Sequence, residues 1–284
     1  MRILLTNDDG IDSVGLHVLA RAMRAHGDVV IVAPDQEFSG AGAALGALHL
    51  IQPEARRAHV DGIDEAWAVS GPPALCVMYT RLGTFGPPFD LVVSGINPGA
   101  NVGRSVYHSG TIGATLTGRN GGVSGVAVSQ SVVGMGVEGQ GWDEMLVGQK
   151  WQTAADVASA FVGGLIADLP ADPVVVNLNV PNVEVADIKG WRHARVGTIP
   201  PRTLAEAHLE PKVGHDGVSY IRMSWGDAVE LPEDTDGGIV DSGYVAVTYL
   251  SRLAESSRTD MTRAEGGLES LLPRGLDRRA RSTG

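Results

Sequence analysis

The first 34 residues constrain this chain most. Residues 2–6 form a short apolar run that stops at Asn7, Asp8, Asp9 and Gly10. Leu16, Leu19, Ala20 and Met23 then recur at i, i+3, i+4 and i+7 within residues 13–25, after Asp12 or Ser13 as a cap. A second apolar run, 28–33, stops at Pro34 and Asp35. Unbroken apolar runs bounded by turn residues read as buried strands, and the spaced leucines read as one helix face. Strand, helix and strand within about 30 residues make a βαβ unit, whose parallel strands need a right-handed crossover.

The pattern repeats. It predicts strands at 66–70, 90–94, 125–129 and 174–180, and helices at 73–83, 111–119 and 152–168. Residues 1–182 therefore read as a Rossmann-like, doubly wound α/β core with a mostly parallel sheet. After Pro181 the texture changes to short alternating runs at 192–196, 218–224 and 244–248, separated by Pro, Gly and Asp. That predicts hairpins or an extended arm over 183–254, packing on the core or swapping between subunits. Residues 255–284 read as a C-terminal helix and a frayed basic tail.

Composition narrows the function. With 22 basic and 33 acidic residues the formal charge is −11, a poor basis for sequence-independent nucleic-acid binding. There is no apolar run of the ~18 residues that a membrane span needs, and the N-terminus turns polar too early for a secretory leader. The single cysteine, Cys76, forms no internal disulfide. A cytoplasmic setting is the expectation. Glycine is in excess, 38 of 284 residues, as in chains that need tight turns or close backbone approach.

In open parallel sheets ligands bind beyond the carboxyl ends of the strands. Those segments carry Asn7, Asp8 and Asp9 after the first strand, Asp35 and Ser39 after the second, and Ser94, Asn97 and Asn101 after the strand at 90–94. Adjacent carboxylates beside a packed strand repel unless a proton or cation intervenes. Gly10 lets both face one point. With neutral oxygens nearby, the implied ion is hard: Mg²⁺, Mn²⁺ or Ca²⁺, not zinc. Taken alone, Asp-Asp-Gly is a polar turn; its place after the first strand favours the ion. A second candidate is Ser109-Gly110-Thr111, opening a helix as an anion site. An ordinary N-cap explains the same residues. His108 is the only histidine inside a candidate loop, as general acid, substrate contact or the commoner surface residue.

Other chemistries are excluded by inspection. Lys150, Lys189 and Lys212 all lack a P-loop context, and no nucleophile elbow or His-Glu-x-x-His occurs. The Gly-x-Gly-x-x-Gly match at 134–139 precedes no amphipathic helix and reads as a decoy. An Asp-x-Asp nucleophile phosphatase remains as a lower-ranked alternative, because Asp9 follows Asp8 at once and Asp234-Thr235-Asp236 lies far from any expected strand end of the core.

Taken together the pieces resemble the SurE-type (survival protein E) 5′-nucleotidases. The resemblance runs through residues 3–11, through 32–35 with Ser39, Gly40 and Ala41, and through 94–103 and 109–114. It continues through 176–181, Thr235 with Asp236, and 243–248. It covers roughly residues 1–250 in order and implies a metal-dependent phosphomonoesterase acting on nucleoside monophosphates. A 3′-nucleotidase activity and an exopolyphosphatase side activity go with it. One divalent ion per subunit, Mg²⁺ or Mn²⁺, with Ca²⁺ able to take the site in a crystal, is implied at Asp8, Asp9, Ser39 and Asn97. Asn101 and the turn of Ser109, Gly110 and Thr111 are implied at the phosphate. Asn7 and His108 join them on the substrate side. Homodimers or homotetramers are implied through an exchanged C-terminal arm.

The chain departs from the family pattern at Gln36-Glu37-Phe38, Gly42, Pro72, Leu75, His108 and Tyr249, while the metal set is intact. In the expected reaction the ion orients a water and the start of the helix after 109 stabilises phosphoryl charge. Either Asp8 or Asp9 is base or nucleophile. The alternative is a metal- and nucleotide-binding module that has lost catalysis.

Overall fold

The computed structural model describes residues 1–132, 146–199, 202–254, 256 and 259–272. The glycine match at 134–139 and the basic run from Pro273 lie outside them. By contacts the chain forms two units, Met1–Leu250 and Ser251–Gly284.

The first unit begins with strand β1 (Arg2–Thr6), helix α1 (Val14–Met23) and strand β2 (Asp28–Pro34). Strands β3 (Ala55–Arg57) and β4 (Glu65–Val69), helix α2 (Pro73–Arg81), strand β5 (Leu91–Pro98) and helix α3 (Gly110–Asn120) follow. Then come strand β6 (Ser124–Gln130), helix α4 (Trp151–Ala167) and strands β7 (Val175–Val180) and β8 (Trp191–His193). Strands β9 (Arg202–Pro211) and β10 (Ser219–Ala228), helix α5 (Asp236–Asp241) and strand β11 (Val245–Leu250) complete it. The second unit holds helix α6 (Thr262–Glu269).

Nine strands form one sheet in the order β3-β4-β2-β1-β5-β6-β7-β11-β8. Strands β4, β2, β1, β5, β6 and β7 are mutually parallel. Numbered along the chain, these six lie in the order 3-2-1-4-5-6, the doubly wound arrangement with its reversal between β1 and β5. Period-2 alternation divides their side chains between two cores. Ile3, Leu5, Val29, Ile31, Leu91 and Val93 face α1 and α4, whereas Leu4, Val30, Val32 and Val92 face α2 and α3. The helical spacing of Leu16, Leu19 and Met23 leaves all three fully buried, each contributing about 1.5–3 kcal/mol of apolar transfer. Pro73 opens α2 at its first position, where a missing N–H costs nothing.

Three features differ from the sequence pattern. β3 pairs antiparallel with β4 as an exposed Ala-Arg-Arg edge, which carries no apolar signal. The strand expected at 90–94 continues to Pro98 through an irregularity between Gly95 and Asn97, so Asn97 is a strand residue rather than a loop residue. Among the described residues beyond 182, only β9 and β10 form a separate antiparallel hairpin. β11 pairs antiparallel with β7 and β8 pairs parallel with β11, so both extend the main sheet. Val245 and Val247 enter the core beside Leu178.

Candidate active site

Thr6 pairs with Ser94, so the segments leaving β1 and β5 emerge side by side where the strand order reverses. Such a reversal opens a crevice, because the crossovers on its two sides leave in opposite directions. Asn7, Asp8 and Asp9 follow β1 directly, and Asn97 lies near the end of β5.

Asp8 is 3% exposed. The Thr111 hydroxyl donates to its Oδ1 at 2.5 Å, and the Gly110 N–H donates to its Oδ2 at 3.0 Å. A Cβ on Gly110 would lie 2.7 Å from Asp8 Cβ, so the carboxylate reaches the start of α3 only because residue 110 has no side chain. Burial pushes the Asp8 carboxyl above its usual range, against the lowering effect of the Thr111 and Gly110 donors. Ser109 caps α3 by accepting the Ile112 N–H at 3.1 Å. The donors at this helix start, read from sequence as a phosphate cradle, thus serve a carboxylate of the chain and the cap.

Asp9 has a different environment. Its carboxyl is pushed up to about 8, first by burial, then by the charges of Asp8 and Glu37. Gly10, at φ +99, turns the chain behind it, and the Asn7 amide donates to Gly10 O at 3.0 Å. Asp9 Oδ2, Asn7 Oδ1, Thr6 Oγ1 and Ser94 Oγ are buried without a hydrogen-bond partner. Thr6 ends β1, Asn7 and Asp9 follow it, and Ser94, within β5, is the cross-strand partner of Thr6. Buried oxygens without donors are costly, and a hard cation is the ligand that such acceptors suit. The residues therefore fit a divalent ion. Among the described residues no three His, Cys, Asp or Glu side chains converge, so neutral oxygens have to complete the set.

Ser39 stands on the exposed loop after β2, its hydroxyl donating to Glu37 Oε1 at 2.7 Å. That loop is tied to the crevice twice, by the Phe38 N–H to Asp8 O at 2.7 Å and by the Gly42 N–H to His108 O at 2.8 Å. The His108 residue itself is exposed. Asn97 donates to Gly99 O at 2.6 Å, which leaves its Oδ1 as an acceptor. Asn101 is 8% exposed and is bonded to Ser129, Asn177 and Asn179.

Hydrogen bonds thus join Asp8 to Gly110 and Thr111, and the Ser39 loop to Asp8 and His108. Asn97 lies in β5, next to β1, and Asn101 is fastened farther along the sheet, to Ser129 on β6 and to Asn177 and Asn179 on β7. Sequence reasoning missed the supports. Asp236, 1% exposed, accepts the N–H groups of Gly103 at 2.9 Å, Gly197 at 3.0 Å and Gly237 at 2.9 Å. Its distance along the chain hid its place beside the loop after β5.

A family model described as "Survival protein SurE" matches residues 3–201. The chain belongs to the SurE family. A 5′-nucleotidase SurE of Mannheimia succiniciproducens is 36% identical over 274 residues, covering 95% of this chain and all of that protein. A 5′/3′-nucleotidase SurE of Salmonella arizonae is 36% identical over 250 residues, 88% of this chain and 90% of its own. The crystal structure of the SurE protein from Aquifex aeolicus superposes with a TM-score of 0.71 at 28% identity, covering 95% of this chain and 100% of that one. This SurE chain has the α/β architecture that the strand order implies. Among the described residues no helix is long and apolar enough to cross a membrane.

Proposed function

We propose that this SurE chain is a divalent-metal-dependent phosphomonoesterase that hydrolyses nucleoside monophosphates. The nucleotidase names of its relatives support the activity. The observation that carries the metal reading is Asp9 Oδ2, a buried carboxylate oxygen without a hydrogen-bond partner just beyond the end of β1, where the strand order reverses. We assign Asp8, Asp9, Ser39 and Asn97 to one Mg²⁺ or Mn²⁺. A bound divalent ion supplies Lewis acidity and charge neutralisation for an approaching phosphate.

The residues divide the work by environment. Asp8 has both oxygens engaged by α3, so it is held in place and is the weaker nucleophile. Asp9 keeps an unpartnered oxygen and is the better acceptor for a proton from water. Gly110 and Thr111 act on the substrate through Asp8, by holding its carboxylate at the helix start. Asn7, Asn101 and His108 are assigned to the substrate side, with Ser109 setting the cap.

The 3′-nucleotidase and exopolyphosphatase activities belong to the same reading, since all three end in a terminal phosphoryl group. We further propose a homodimer or homotetramer in the cytoplasm. An apolar cavity of about 410 Å³ lined by Trp191, Val185, Tyr249 and Phe161 supports an assembly, as does the exposed pair Leu209 and Ile221 on the hairpin. The test is turnover of AMP, GMP, their 3′ isomers and short polyphosphate with Mn²⁺ or Mg²⁺. Activity is expected with added metal and is expected to vanish in EDTA and in Asp9→Ala. Full activity in EDTA would overturn the metal reading. Metal and nucleotide binding without turnover would leave a binding module.

A further inference from the structure

The main chain of Asn101 is held by side chains from far along the sequence. Its N–H donates to Asn179 Oδ1 at 2.8 Å. Its C=O accepts from Asn177 Nδ2 at 2.9 Å and from Asn179 Nδ2 at 3.2 Å. Its own Nδ2 donates to Ser129 Oγ at 2.9 Å. Asn179 therefore bridges the N–H and C=O of one residue, as a neighbouring β-strand would.

The placement follows from strand geometry. Asn177 and Asn179 are two apart on β7 and share one face, while Leu178 between them enters the opposite core. Ser129 on β6 lies opposite Asn179 and also opposite Asn97 on β5. One cross-strand row thus runs from Asn97, the candidate metal ligand, through Ser129 to Asn179, and Asn101 is fastened to that row.

Stability alone does not explain these residues. Both asparagines are fully buried in a central strand otherwise made of Val and Leu, where Asn is a poor strand former. Asn177 Oδ1 is buried without a partner, a cost of about 1–3 kcal/mol. Polar groups that break a local rule in a core mark places where function constrains the sequence.

We propose that Asn177 and Asn179 are positioning residues that set Asn101, and with it the loop after β5, in register with Asn97 for a phosphate substrate. This rests on the reading of Asn101 as a substrate-side residue. Asn177 and Asn179 act only through Asn101 and its loop, which predicts non-additivity.

The test is a double-mutant cycle of Asn101→Ala and Asn179→Ala. It is read as kcat and KM on p-nitrophenyl phosphate with Mn²⁺, alongside Mn²⁺ affinity and amide exchange of residues 99–103. Asn179→Ala should lower kcat/KM on the order of 10–100-fold, with Mn²⁺ affinity kept within about twofold and faster exchange in the loop. The double variant should lose less than the product of the two single losses. Losses that multiply, or unchanged kinetics in Asn179→Ala while Asn101→Ala is impaired, would overturn the positioning role. Unchanged kinetics in Asn101→Ala would instead overturn the substrate-side reading and the proposal that rests on it. If the wild type turns over no substrate, the proposed function fails, and loop exchange in Asn179→Ala still decides whether the clamp exists. Should Asn179→Ala not fold, Asn177→Ser removes a single main-chain bond and should show the same directions at smaller size.

Discussion

Asp8 has both carboxylate oxygens engaged by Thr111 and Gly110, whereas its neighbour Asp9 keeps one buried oxygen without a partner. The difference has a consequence for pH. Asp9 titrates at 3.8 in its unperturbed state and is pushed up to about 8 in the fold, by burial, then Asp8, then Glu37. Between those values the metal-free fold retains a proton that the unfolded chain has released. Its stability therefore falls as pH rises from 3.8 to about 8. Thermal melts of metal-free protein should show Tm falling across that window, with a shallower fall in Asp9→Asn. Mn²⁺ added at the alkaline end should restore Tm in the wild type and much less in the variant. A flat wild-type profile would contradict this account. The adjacent acids were legible in sequence because Asp-Asp-Gly closes the first strand. Their unlike environments were not, since these come from α3, about a hundred residues later in the chain.

At the scale of elements, short polar segments hold the site loops. The six-residue helix α5 brings Asp236 to the N–H groups of Gly103, Gly197 and Gly237. Asp236→Ala would leave these three buried donors without their acceptor. Unfolding in urea should show a loss of about 3 kcal/mol or more, since each orphaned donor costs roughly 1–3 kcal/mol. A change within about 0.5 kcal/mol, the usual size for a surface substitution, would show that the carboxylate is dispensable. The regular elements were legible from sequence because apolar periodicity is local. The exposed edge strand β3 was not, having no apolar face, and neither was the run of β5 through Asn97, which depends on pairing with β6.

At the scale of the whole molecule, the β9–β10 hairpin is a sheet of two strands, a form only marginally stable without cover. Leu209 and Ile221 pair across it and are 69% and 76% exposed. If this face is buried between copies, Ile221→Glu should lower the mass measured by sedimentation or light scattering while leaving the monomer's fold intact. An unchanged mass would place the subunit contact elsewhere.

The sequence by itself determined the βαβ winding, the two apolar faces of each parallel strand and the acidic turn after β1. All of these are set by residues within one or two turns or strand lengths of each other. Only the tertiary structure decided that Asp8 occupies the start of α3, that Asn177 and Asn179 grip Asn101, and that β11 and β8 extend the sheet. Those outcomes depend on which elements become neighbours across the sheet. Hydrogen-bond partners separated by some 75 to 130 residues leave no periodic trace in a single chain.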